Sequence, residues 1–192
     1  MEIRGAGNIL GAEQHGHLDA IGYDLYITLL NQAVLEEKGE AEEPETECTV
    51  SLTFDAFLPE KYVPYPAQRM ALYKKIALIA TEEDLSDVTD ELVDRFGEPP
   101  LPTRNLLRIA LIHSLAVKCR ITSIRQDGGE IHIYPQKLDI DIWSQLSDLF
   151  GRLRVMMSGE PHICLRLQKG DHALELIHKM FEKYIEISHE KA

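Results

Sequence analysis

Cysteine is scarce in this chain. Cys48, Cys119 and Cys164 are the three in 192 residues, far apart and without CxxC spacing. That excludes a disulfide framework and a cysteine-built zinc site, and it fits reduced thiols in a cytoplasmic protein. No run of about 18 apolar residues occurs, so no membrane-spanning helix is expected. The polar, glycine-rich N-terminal stretch carries no secretory signal pattern. A phosphate-cradling GxxxxGK(S/T) loop is missing, so nucleotide binding in the P-loop manner is excluded and no cofactor is expected in the chain itself. There is no GxSxG elbow and no Cys-His or Ser-His pairing at suggestive spacing, which removes the common hydrolase classes. His15 and His17 lack further donors at ligand spacing, and a metal site needs three or four convergent ligands, so none is expected. Basic residues are also few: 20 Lys and Arg stand against 32 Asp and Glu, for a formal net charge of −12. Such a balance repels a phosphate backbone and suits a basic protein surface.

What is present falls into four parts. Residues 1–18 form a loop, with four glycines between Arg4 and Gly16. Residues 19–38 carry Ile21, Leu25, Leu29, Ala33 and Val34 at helical spacing after Asp19, which predicts a connecting helix. Residues 39–47 are acidic and contain Gly39 and Pro44, an acidic linker. Residues 48–192 read as one folded domain, with a strand over Thr49–Phe57 and a helix after Pro66. The apolar stripe of that helix is Met70, Tyr73, Ile76, Ala77 and Ala80. Glu82–Phe96 forms a helix ended by Gly97, and a largely apolar helix spans Thr103–Lys118. Ile121–Gln126 and Glu130–Tyr134 alternate around Asp127-Gly128-Gly129, a β-hairpin pattern. A helix starts at Asp139 or Asp141, a second strand pair surrounds Ser158-Gly159-Glu160-Pro161, and Asp171 is placed to cap the last helix. His132 and His162 fall on exposed sheet positions. The order β-ααα-ββ-α-ββ-α predicts an α+β domain with a largely antiparallel sheet.

The Glu82–Phe96 helix is the most informative. Leu85, Val88, Leu92 and Phe96 line one side, while Asp84, Asp87, Glu91 and Asp94 fall within a wedge of roughly 80° near the opposite side. A solvated helix face is the ordinary meaning of such a run. Only Arg95 on this helix can offset it. A competing surface is basic: Arg69, Lys74 and Lys75, with Arg104, Arg108 and Lys118, would support an independent nucleic-acid-binding domain.

Arg4–Gly16, RGAGNILGAEQHG, resembles the motif that closes the motor of bacterial transcription-repair coupling factors, a motif shared with the RecG helicases. Ile21–Val34 resembles the helix leaving that motor. Phe57–Ala77 (FLPEKYVPYPAQRMALYKKIA) and Glu91–Pro100 (ELVDRFGEPP) resemble signatures of the coupling factors' C-terminal domain, which RecG helicases lack. The resemblance covers nearly the whole chain and implies a C-terminal regulatory domain joined to the end of a translocase motif, with Met1 a start placed inside a longer gene. It implies that Arg4 and Gln14 couple ATP hydrolysis to movement on duplex DNA in the parent, whose motor would use ATP and magnesium. It also assigns Glu91 and Asp94 to a contact with a basic patch on the parent's N-terminal repair-ATPase-binding module, with Asp87 and Asp84 extending the contact by geometry alone. That contact would be autoinhibitory, and stalled RNA polymerase and DNA would release it. The parent would bind RNA polymerase, the excision-repair damage-recognition ATPase and duplex DNA. The chain itself would be a non-enzymatic, monomeric, cytoplasmic piece with no membrane contact.

Overall fold

Two hairpins build the sheet. β2 (Ile121–Asp127) and β3 (Glu130–Pro135) are antiparallel and meet at Gly128, whose φ of 56° suits a tight turn. β4 (Leu153–Met156) and β5 (His162–Arg166) form the second antiparallel pair. β5 docks antiparallel on β3, and the short β1 (Thr49–Ser51) adds parallel to β2. The order is therefore β1-β2-β3-β5-β4 in the computed structural model, which describes residues 48–191. The side-chain period of two sends Ile124, Ile131, Ile133, Ile163 and Leu165 into the core. The opposite sheet face carries Arg125, Glu130, His132, Tyr134, Arg154, His162, Cys164 and Arg166.

Five helices complete the described residues: α1 (Pro66–Ala77), α2 (Glu82–Phe96), α3 (Leu101–Lys118), α4 (Ile140–Phe150) and α5 (Ala173–Glu190). α3 is buried around most of its circumference, through Leu106, Leu107, Ile109, Ala110, Leu111 and Ile112. It packs on α1, α2, α5, β1 and β2, which makes it the axis of the domain. α4 inserts Ile142, Trp143 and Leu146 beside α5 and β4. The element order and the mixed α+β architecture match the expectation from the sequence.

Local details differ. The predicted strand over Thr49–Phe57 stops at Ser51. Beyond it the strand ladder gives way to other partners: Thr53 N donates to the Gln126 side chain of β2 at 3.2 Å, Phe57 N to Pro102 O at 3.3 Å and Leu58 N to Tyr73 Oη at 2.9 Å. α3 begins at Leu101, two residues early, because Pro102 is tolerated in a first helical turn. In α1 the residues fully buried are Leu72 and Ile76, and Met70, Tyr73 and Ala77 are only half-buried. Asp171 does not cap α5. Its Oδ2 accepts from Arg152 Nη1 at 2.5 Å and from Gln168 N at 2.6 Å, and His172 occupies the cap position without a side-chain bond. The loop of residues 1–18, the connecting helix of 19–38 and the acidic linker of 39–47 lie outside the described residues.

Candidate functional site

α2 starts at a reciprocal cap. Thr81 Oγ1 accepts from Asp84 N at 3.1 Å, and Asp84 Oδ2 accepts from Thr81 N at 2.9 Å and Ala80 N at 3.0 Å. Glu82, Glu83 and Asp84 in the first turn complement the positive end of the helix dipole. Leu85 and Leu92 anchor the inner face. At the far end Gly97 takes φ 80°, and Tyr62 Oη donates to its carbonyl at 2.8 Å while the Tyr62 ring lies 5.8 Å from that of Phe96. The FLPEKYVPYP run and the ELVDRFGEPP run therefore meet at one structural joint.

The flanks of α2 are also tied to the body. Glu91 accepts from Lys75 of α1 and from Arg95, each at 2.6 Å. Glu82 faces Arg108 of α3 at 3.0 Å and His178 of α5 at 3.2 Å. Hydrogen bonds from Lys75, then Arg95, hold the Glu91 carboxyl below its ordinary range. Those from the Ala80 backbone and then Thr81 do the same for Asp84.

The four carboxylates expected to form one outward wedge are thus not equivalent. Asp84 is a helix cap, and Glu91 is half-buried between two cations of its own domain. On the same helix only Arg95 offsets Glu91, whereas Lys75 arrives from α1. Asp87 and Asp94 are exposed and have no ion pair among the described residues. Glu83 and Asp90, passed over in the sequence, stand with them. At about 100° per residue, Glu83, Asp87, Asp90 and Asp94 fall within roughly 60°, directly opposite Leu85 and Leu92. Their i, i+4, i+7, i+11 spacing was the available signal.

The competing basic surface is largely spent on internal contacts. Arg69 Nη1 donates to Val63 O at 2.9 Å and Pro64 O at 3.2 Å, and Lys118 Nζ to Ala80 O at 2.9 Å. Lys75 and Arg108 are paired with Glu91 and Glu82. Only Lys74 and Arg104 of the six remain without such a contact among the described residues. Arg4 and Gln14 lie outside the described residues.

A protein-family model for the TRCF domain matches residues 52–142, a span that contains the Tyr62 loop and all of α2. A curated transcription-repair-coupling factor of Staphylococcus haemolyticus is 40% identical over 135 residues, 69% of this chain and 12% of that protein. Its namesake in Staphylococcus aureus is 33% identical over 202 residues, which cover 99% of this chain and 17% of that protein. The chain belongs to the transcription-repair coupling factor family. It spans under a fifth of the length of these relatives. A solved structure described as the C-terminal domain of transcription-repair coupling factor has the same fold, with a TM-score of 0.67 at 23% identity, covering 76% of this chain and 96% of that one. No helix among the described residues of this TRCF-family chain is long and apolar enough to cross a membrane.

Proposed function

We propose that this TRCF domain is the regulatory interaction module of an ATP-driven DNA translocase that couples transcription to nucleotide excision repair. In this reading the outward stripe of α2 docks on a basic patch of the parent's N-terminal module. While docked, it keeps the damage-recognition ATPase away and the motor quiet, and stalled RNA polymerase together with duplex DNA shifts the balance to the open state. ATP and magnesium belong to the motor, since the chain has no loop to hold them. Arg4 and Gln14 would serve that motor by coupling hydrolysis to movement.

One observation carries this reading: Glu83, Asp87, Asp90 and Asp94 are exposed on a helix fixed at both ends and along its flanks. A rigid element presents its charges at low entropic cost, which favours a specific contact over a diffuse field. Of the residues assigned by resemblance, Asp94 makes the direct contact. Glu91 sits at the margin, and its partners Lys75 and Arg95 set its position. Asp84 holds the helix start and is not part of the contact. Turning the equilibrium from 1:99 to 99:1 requires about 5.5 kcal/mol of differential binding, within reach of one interface of this kind. Titrating the chain with the parent's isolated N-terminal module should show binding that weakens steeply as salt rises and the Debye length shrinks. Absence of binding at low salt would remove the proposal.

A further inference from the structure

The sheet face turned away from the helices carries a separate constellation. β3 and β5 place His132 directly opposite Cys164. Glu130 lies two residues from His132 on one strand, and His162 two residues from Cys164 on the other, so alternation puts all four on the same face. One donor atom from each of Glu130, His132 and Cys164 lies within 4.8 Å of the other two. His162 Nε2 stands 3.1 Å from His132 Nδ1, and His162 Nδ1 lies 2.8 Å from Glu160 O. A carbonyl oxygen only accepts, so His162 Nδ1 donates to Glu160 O; in that tautomer Nε2 holds the lone pair, which in the metal-free site accepts from His132 Nδ1. Tyr134 stacks on the His162 ring with centroids 4.8 Å apart, which fixes the ring plane.

We propose that Glu130, His132 and Cys164, with His162 beside them, form a binding site for a divalent transition metal, zinc in particular. A set of one sulfur, two imidazoles and one carboxylate matches the borderline softness of zinc, whereas magnesium and calcium select oxygen donors. The bond from His162 to a backbone carbonyl is the kind of outer contact that orients a metal-binding imidazole. Charge is consistent with this assignment. A thiolate and a carboxylate balance a dication, leaving Arg154 and Arg166, which act electrostatically on Cys164, and Arg125, opposite His132, outside the balance. Cys164 is 5% exposed, and its thiol is pushed up first by burial and then by Glu130. As the metal–sulfur bond forms, the S–H bond breaks and its proton goes to solvent.

The test uses the full chain, reduced, untagged and stripped with chelator. Zinc titration by calorimetry in buffers of different ionisation enthalpy should show one equivalent bound and one proton released. Cobalt should give a sulfur-to-metal charge-transfer band that disappears in Cys164→Ser. His132→Gln and Glu130→Gln should each lower zinc affinity about tenfold or more, in line with the cost of losing metal-site contacts. Cys48→Ser, Cys119→Ser and the His15→Ala, His17→Ala double variant should leave it unchanged. Circular dichroism checks that each variant is folded, and the cobalt band and proton count of the unaltered chain stand without any variant. Failure to take up stoichiometric zinc at micromolar concentration would overturn the site, as would uptake that survives Cys164→Ser and His132→Gln together.

Discussion

Replacing Asp87 and Asp94 together with lysine is expected to weaken the complex with the parent's basic module by about ten- to a hundredfold, or about 1.4–2.8 kcal/mol. The domain should stay folded. Both side chains are exposed and neither has an ion pair within the domain among the described residues, so no internal contact is lost. The exchange removes two attractions and adds two repulsions at the same interface, and like charges brought together across an interface are costly. The neighbouring choices would be less informative. Glu91→Lys would put a third cation beside Lys75 and Arg95 and loosen α2 from α1. Asp84→Lys would remove the cap that starts the helix. A loss of affinity in either variant would mix disrupted docking with a displaced helix. Unchanged affinity in the Asp87→Lys, Asp94→Lys variant at low salt would mean that the stripe does not bind.

Trp143→Ala should destabilise the domain by about 3–5 kcal/mol, the range for truncating a large buried aromatic side chain. Trp143 is fully buried on α4 and packs 5.2 Å from Tyr184 of α5, so its removal opens a cavity between these helices. Typical domains hold only about 5–15 kcal/mol in total, so the variant would lose a large share of its stability. The indole nitrogen has no hydrogen-bond partner among the described residues. The loss is therefore one of packing. Trp143→Phe keeps an aromatic ring and removes the unpaired donor, and it should cost less than about 2 kcal/mol. Denaturant midpoints for the two variants, at equal slope, check both values. A similar loss for the two would show that the indole makes a bond after all.

The sequence reveals local order better than the partners that distant elements supply. The apolar periodicity that placed α3 at the centre survives because nearly every turn of that helix faces another element. The hairpin at Gly128 follows from local turn chemistry. Strand order is another matter. Hydrophobic alternation says that β3 and β5 are strands, but not that His132 comes to lie opposite Cys164, and neither carries a ligand-spacing motif along the chain. The donors of the proposed metal site are visible only after that pairing. Glu91 is a similar case. Its bearing on the helix was legible, and its partner Lys75, 16 residues earlier on α1, was not. Asp171 shows how a residue with a good local role can be taken by a tertiary one, here Arg152. The stripe of Glu83, Asp87, Asp90 and Asp94 was within reach, because it needs only the helical period and the direction of Leu85 and Leu92.

Mapping backbone amide shifts of the isotope-labelled chain as the unlabelled N-terminal module is added tests the location of the contact most directly. The expected result is a set of perturbations centred on Glu83, Asp87, Asp90 and Asp94, fading toward the Leu85–Leu92 side of α2. Perturbations confined to the open sheet face around Arg125, Arg154 and Arg166, with α2 unaffected, would contradict it.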